Sequence, residues 1–135
     1  MGSAKTFEQL DVWKAARELM KLVYEASLTP GFSEDPALKD QIRRASVSVM
    51  ANIAEGFERG GDKEFLQFLA HAKGSCGEVR SHLAVALDLK LLSLERHAEL
   101  EKKAVQTSRM LASLMNYLRS SKLRGSKFHR TILRP

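Results

Sequence analysis

Apolar residues recur along this chain with the three-and-four spacing of amphipathic helices. Four such segments follow one another, and none has the period of two that is typical of strands. The clearest pattern is in the third segment, where one apolar stripe continues for about six turns. It consists of Phe65, Leu69, Ala72, Cys76, Val79, Leu83 and Ala86. The pattern predicts an all-α fold.

Short breaks separate the first three predicted helices. Thr6 and Gln9 have the spacing of a capping box in front of the first helix, which we expect to end at Thr29-Pro30-Gly31. Asp35-Pro36 supplies an N-cap and a first-turn proline for the second helix. Gly60-Gly61 is expected to end that helix.

The last two helices have their own start signals. Asp62 is the expected cap of the third helix and Ser93 that of the fourth. Four helices of similar length with short connections favour an antiparallel, up-down-up-down bundle.

The charge of the chain is concentrated at its C-terminal end. The net charge is +6, and residues 119–135 hold six cations and no acid: Arg119, Lys122, Arg124, Lys127, Arg130 and Arg134. We therefore divide the chain into a flexible N-terminus over residues 1–6, the bundle over residues 7–120 and a basic tail over residues 121–135. A basic tail on a neutral body predicts contact with a polyanion.

The second predicted helix is apolar over a wide part of its circumference. Its core stripe is expected at Leu38, Ile42, Ala45, Val49, Ile53 and Gly56. Four further apolar residues fall together on one flank of that stripe, at Val47, Met50, Ala54 and Phe57. A monomeric bundle does not require so wide an apolar surface, so we expect a second buried face against another subunit.

The opposite flank of the same helix is a row of small and polar residues. It contains Gln41, Arg44, Ser48, Asn52, Glu55 and Arg59, of which Glu55 and Arg59 have the i, i+4 spacing of an ion pair. Such residues can form hydrogen bonds across a helix interface, and Gly56 lets a neighbouring backbone approach closely. We therefore predict a homo-oligomer. Its predicted subunit interface contains Val47, Met50, Asn52, Ala54, Gly56 and Phe57.

Three stretches of the chain carry a family resemblance. They are "FEQLDVWKAARELMKLVYE", "LKDQIRRASVSVMANIAEGFERG" and "KEFLQFLAHAKGSCGEVRSHL". Taken in order, they resemble the four-helix bundle proteins encoded in intervening sequences of bacterial 23S rRNA genes, the S23-like family. The linker "TPGFSEDPALKD" and the C-terminal extension differ from the usual pattern of that family.

The resemblance implies a bacterial origin, a left-handed up-and-down bundle and a ring-like homopentamer. It also implies distant kinship with the accessory variability proteins of diversity-generating retroelements, which form similar pentamers and bind reverse transcriptase and nucleic acid. For the family itself, it implies a role in ribosomal RNA or ribosome biology.

The candidate chemistry in the sequence favours a protein that is not an enzyme. Cys76 lies in a core stripe and has no histidine near it in sequence, which is typical of a buried structural thiol. His71, Ser75, Glu78 and His82 share one flank of the third helix, but a metal ion would need further ligands from elsewhere. No phosphate-binding loop follows a strand. We expect no catalytic residues, no metal and no cofactor.

Composition also bears on where the protein acts. One cysteine excludes an intrachain disulfide, which favours a reducing compartment. No apolar run approaches the roughly 20 residues that span a bilayer. We therefore predict a cytoplasmic protein with no membrane partner.

Two functional hypotheses remain open on this sequence. In the first, the oligomer binds structured RNA, related to ribosomal RNA, through basic residues. These are Arg43, Arg44, Arg59, Lys122, Arg124, Lys127, Arg130 and Arg134. In the second, the oligomer is a scaffold that binds a partner protein and no nucleic acid.

Overall fold

The computed structural model describes residues 4–122, and within that range it contains helices and no strand. A 3-10 helix at Phe7–Gln9 precedes five α-helices. These are α1 (Asp11–Ala26), α2 (Pro30–Ser33), α3 (Pro36–Arg59), α4 (Asp62–Asp88) and α5 (Leu94–Lys122). The all-α prediction is confirmed. Over the same residues, no helix combines the length and apolar character needed to cross a bilayer.

The four long helices pack side by side as a bundle. α1 packs against α3 and α5, and α4 packs against the same two helices. Successive long helices are neighbours joined by short connections, so they run antiparallel. The single turn of α2 lies in the connection between α1 and α3, where Phe32 is buried.

The core positions expected on α3 and α4 are buried. On α3 these include Ile42, Val49 and Ile53, which are at most 1% exposed. All seven residues of the predicted α4 stripe are fully buried. Complete burial of an aliphatic side chain contributes about 1.5–3 kcal/mol, so these stripes provide much of the drive for folding.

Several predicted helix ends are confirmed by their hydrogen bonds and dihedrals. The Asp35 carboxylate accepts a hydrogen bond from the Leu38 N–H at 3.1 Å. The Ser93 hydroxyl accepts one from the Arg96 N–H at 3.1 Å. Gly60 has a φ of 89°, in the left-handed region that glycine adopts without strain, and it ends α3 there.

The start of α4 differs by one residue from the prediction. Asp62 is the first residue of the helix, and Gly61 occupies the N-cap position. Because the chain reverses at Gly60, α4 begins one residue earlier than it would with Asp62 as its N-cap. A carboxylate in the first turn still lies near the positive end of the helix dipole.

The first long helix begins later than predicted. Thr6 precedes the 3-10 turn and not α1, and the Gln9 side chain accepts a hydrogen bond from the Lys5 N–H at 2.6 Å. The turn directs Leu10 into the core, where it is 6% exposed. As a result the buried stripe of α1 contains Val12, Ala15, Ala16, Leu19, Val23 and Ala26. Trp13 and Met20, which the three-and-four spacing of the sequence also predicts on the core side of this helix, are only partly buried.

Candidate RNA-binding and protein-binding surfaces

Arg43 is held in place by contacts between α3 and the end of α1. Its Nε donates a hydrogen bond to the Ser27 hydroxyl at 2.8 Å. Its guanidinium lies 4.4 Å from the centroid of the Tyr24 ring, in cation–π geometry. The side chain predicted to bind phosphate therefore also fastens two helices together.

Arg44 and Arg59 form exposed ion pairs within α3. Arg44 Nε lies 2.8 Å from an Asp40 oxygen. Arg59 donates to Glu55 from Nε at 3.0 Å and from Nη2 at 2.8 Å, so the pair expected from the sequence is present. Exposed pairs of this kind contribute only about 0.2–1 kcal/mol, so a phosphate can compete with the carboxylate.

The predicted cations of the tail begin where the described chain ends. Lys122 is the last residue of α5. Arg124, Lys127, Arg130 and Arg134 lie outside the described residues. Just before them, the exposed Arg119 donates a hydrogen bond to the Asn116 side chain at 3.3 Å.

A polar cleft lies between α3 and α4. The Ser48 and Ser75 hydroxyls are 3.0 Å apart across it. Asn52 donates to the Ser48 carbonyl at 2.9 Å and to the Ser48 hydroxyl at 3.1 Å. Glu78 and His71 also line the cleft, which thus joins the polar row of α3 to that of α4.

The cleft does not assemble a metal-binding set from the residues that the structure describes, where no group of three or more potential ligands occurs. The His71 and Phe68 rings pack edge to face, with centroids 6.1 Å apart.

Cys76 is fully buried in the core, as its position in the α4 stripe predicted. Burial raises the pKa of the thiol to about 12, and the nearby Lys73 charge partly opposes that rise. The thiol is therefore protonated near neutral pH and is a poor nucleophile.

Two of the predicted interface residues serve packing inside one chain. Phe57 is fully buried, and its ring packs edge to face on Phe65 with centroids 6.0 Å apart. A Cβ on Gly56 would lie 2.7 Å from the Phe68 Cβ, so the absence of a side chain lets α4 approach α3. Neither residue is exposed for contact with another subunit, because the close contact with α4 buries a wider part of the circumference of α3.

The remaining apolar residues of that flank are open to solvent to different degrees. Val47 is 42% exposed, while Met50 and Ala54 are partly buried. Ala51 and Glu58, which were not predicted as interface residues, are exposed on the same side of α3. We call the surface formed by Val47, Ala51, Ala54 and Glu58 the α3 outer face.

A groove that the sequence reasoning missed lies between the start of α1 and α5. We call it the α1/α5 groove, and it has a volume of about 1010 Å³. Apolar residues dominate its lining: Leu10, Val12, Val105, Met110, Leu114 and Tyr117. The exposed residues Asp11, Lys102 and Arg109 add charge to the lining. The lining residues from Lys102 to Tyr117 recur along α5 with three-and-four spacing, and this spacing was the sequence signal that could have indicated the groove.

Comparison with known proteins identifies the family. Residues 8–113 match the family model described as 23S rRNA-intervening sequence protein. A crystal structure of a protein with unknown function from the S23 ribosomal protein family of Bacteroides thetaiotaomicron is similar in fold, with a TM-score of 0.71. It is 18% identical, and the alignment covers 77% of this chain and 97% of that one. None of the curated proteins matches significantly. The chain belongs to the family of 23S rRNA-intervening sequence proteins.

Proposed function

We propose that this protein is a non-catalytic, cytoplasmic binding module that assembles into a ring-like homopentamer and binds structured RNA related to ribosomal RNA. One observation carries the proposal: six cations and no acid lie in residues 119–135, at the end of an otherwise neutral chain. Cations near a phosphate backbone release condensed counterions, which is the main source of affinity in sequence-independent binding.

Oligomerisation strengthens this binding. Each subunit adds one tail, and tails on one particle engage the same RNA at a high effective concentration. The exposed apolar residues of the α3 outer face support self-association, because an exposed apolar surface on a helix is commonly covered by a partner.

The three body arginines have different roles in this proposal. Arg44 and Arg59 exchange an exposed carboxylate for a phosphate, at little cost. Arg43 contributes charge while it keeps its contacts with Ser27 and Tyr24. The tail therefore provides most of the affinity, and no cofactor is needed.

RNA binding by matched variants tests the proposal. The tail variant replaces Lys122, Arg124, Lys127, Arg130 and Arg134 with Gln, and the body variant is Arg44→Gln with Arg59→Gln. We expect the tail variant to bind a 23S rRNA fragment at least about 100-fold more weakly at physiological salt, and the body variant to stay within about tenfold of the parent chain. Absence of RNA binding by the parent chain would overturn the proposal.

A second candidate function is a scaffold for a partner protein. It is favoured by three leucines at one end of the bundle: Leu28, Leu89 and Leu94 are 66%, 56% and 75% exposed. Leu28 follows the end of α1, Leu89 follows the end of α4 and Leu94 begins α5, and these helix ends lie together in an antiparallel bundle. Recovery of a stoichiometric, RNA-free protein partner that is lost in Leu94→Asp would favour this function over RNA binding.

A further inference from the structure

We infer that the α1/α5 groove of one copy receives the α3 outer face of the next copy. The inference rests on the homo-oligomer proposed above and specifies the two surfaces that form its contact. Both surfaces combine apolar residues with charged ones, as protein–protein interfaces commonly do.

The α3 outer face is short enough, and its central side chains are small enough, to fit the groove. The groove follows α5 from Lys102 to Tyr117, which is about 22 Å of helix. The α3 outer face runs from Val47 to Glu58, about 16 Å, so it fits within the groove. Ala51 and Ala54 at its centre have short side chains, which allow the helix axes to approach to about 8–10 Å.

The two cations of the groove and the acid of the α3 outer face have complementary charges, and the one acid of the groove lining, Asp11, belongs to α1 and not to α5. Lys102 and Arg109 lie two turns apart on α5, and neither forms a salt bridge within residues 4–122. The same holds for Glu58 at the end of the α3 outer face, whereas its neighbour Glu55 is paired with Arg59. Docking places Glu58 against Lys102 and Arg109 of the groove, and such pairing fixes the orientation of the partner.

The C-terminal segment of the same chain is a less compatible occupant of the groove. Residues 123–135 contain Arg124, Lys127, Arg130 and Arg134 and no acid. Their charge has the same sign as that of Lys102 and Arg109, so electrostatic repulsion disfavours the tail as an occupant.

The positions of the surfaces determine the type of assembly. α3 packs against α1 and α4, so it lies diagonally across the bundle from α5. One copy can therefore use its groove and its α3 outer face at the same time, with a different neighbour at each. Such head-to-tail contacts give a ring when the rotation between copies closes.

Mixing two blocked variants tests the inference. The groove variant is Gln106→Arg with Ser113→Arg, and the face variant is Ala51→Arg; all three positions are exposed, so the fold should be retained. Ser81→Arg, at an exposed position on α4, is the matched control. The mass of each species is measured by native mass spectrometry and by light scattering.

We expect the control to keep the mass of the parent oligomer and each blocked variant alone to be monomeric, with self-association at least about 100-fold weaker. The two blocked variants mixed should form a 1:1 dimer and nothing larger, because each retains one working surface. Blocked variants that keep the parent mass would overturn this pairing but not the proposed oligomer. A monomeric parent chain would overturn both.

Discussion

The α3/α4 side of the bundle is closely packed, whereas the α1/α5 side leaves a groove of about 1010 Å³. Gly56 lets α4 approach until a Cβ on that glycine would touch Phe68. On the other side, α1 has 16 residues and α5 has 29, so α1 is about 20 Å too short to cover its neighbour. Unequal helix lengths, and not the apolar pattern alone, therefore determine where this bundle leaves apolar surface for a partner.

We expect the largest effect on stability at Phe57, on the α3/α4 side. Phe57→Ala should lower the free energy of unfolding by about 3–5 kcal/mol, because it removes a fully buried ring that packs on Phe65. Urea denaturation at two protein concentrations measures the loss. Since Phe57 is buried within one chain, the loss should not depend on concentration; a concentration-dependent loss would make Phe57 an interface residue after all.

The next largest effect on stability distinguishes two glycines, Gly56 in α3 and Gly74 in α4. Gly56→Ala should destabilise the protein by about 1–3 kcal/mol, because the added methyl group meets the Phe68 Cβ at 2.7 Å. Gly74→Ala is the matched change in α4, where an added Cβ has nothing within 4 Å in the described structure. It should stabilise the protein by about 0.5–1 kcal/mol through helix propensity. Equal effects of the two changes would show that close packing at Gly56 is unimportant.

Charge reversal tests the contact proposed for the α1/α5 side. Glu58→Arg alone should weaken self-association by about tenfold or more, since it places a cation against Lys102 and Arg109. Combining it with Lys102→Glu and Arg109→Glu should restore the association. Sedimentation velocity measures both. Failure of the combined variant to recover, while it remains folded by circular dichroism, would contradict the pairing of these two surfaces.

The smallest effect near neutral pH concerns Cys76. Burial raises the pKa of the thiol from 9.0 to about 12, so the folded protein holds this proton more tightly than the unfolded chain does. The stabilising contribution is complete below pH 9 and is lost as the pH rises toward 12. Cys76→Ala should therefore lose less stability than the parent between pH 8 and pH 10.5, as measured by urea denaturation. Parallel pH profiles would contradict the raised pKa.

The sequence was sufficient for the features that depend on local spacing. The stripes of α3 and α4, the cap at Asp35 and the ion pair of Glu55 with Arg59 each arise from residues within a few turns of one another. The start of α1 was missed because the 3-10 turn that buries Leu10 competes with the capping signal at Thr6.

Features that depend on residues far apart in the chain could not be predicted from local sequence patterns. Arg43 contacts Ser27, which is 16 positions away, and its partner could not be read from helical spacing. Phe57 was assigned to an outer flank, because a helical projection does not show how closely α4 approaches at Gly56. The α1/α5 groove requires the relative lengths and positions of two helices that are far apart in the chain.

Binding of a 23S rRNA fragment across a salt series tests the proposed RNA module most directly. The full chain is compared with a chain that ends at Ser120 and so lacks Lys122, Arg124, Lys127, Arg130 and Arg134. We predict that affinity falls steeply with salt for the full chain, and that truncation makes the logarithmic slope shallower by roughly 3 to 5. The same affinity and the same slope for both chains would contradict the assignment of RNA binding to the tail.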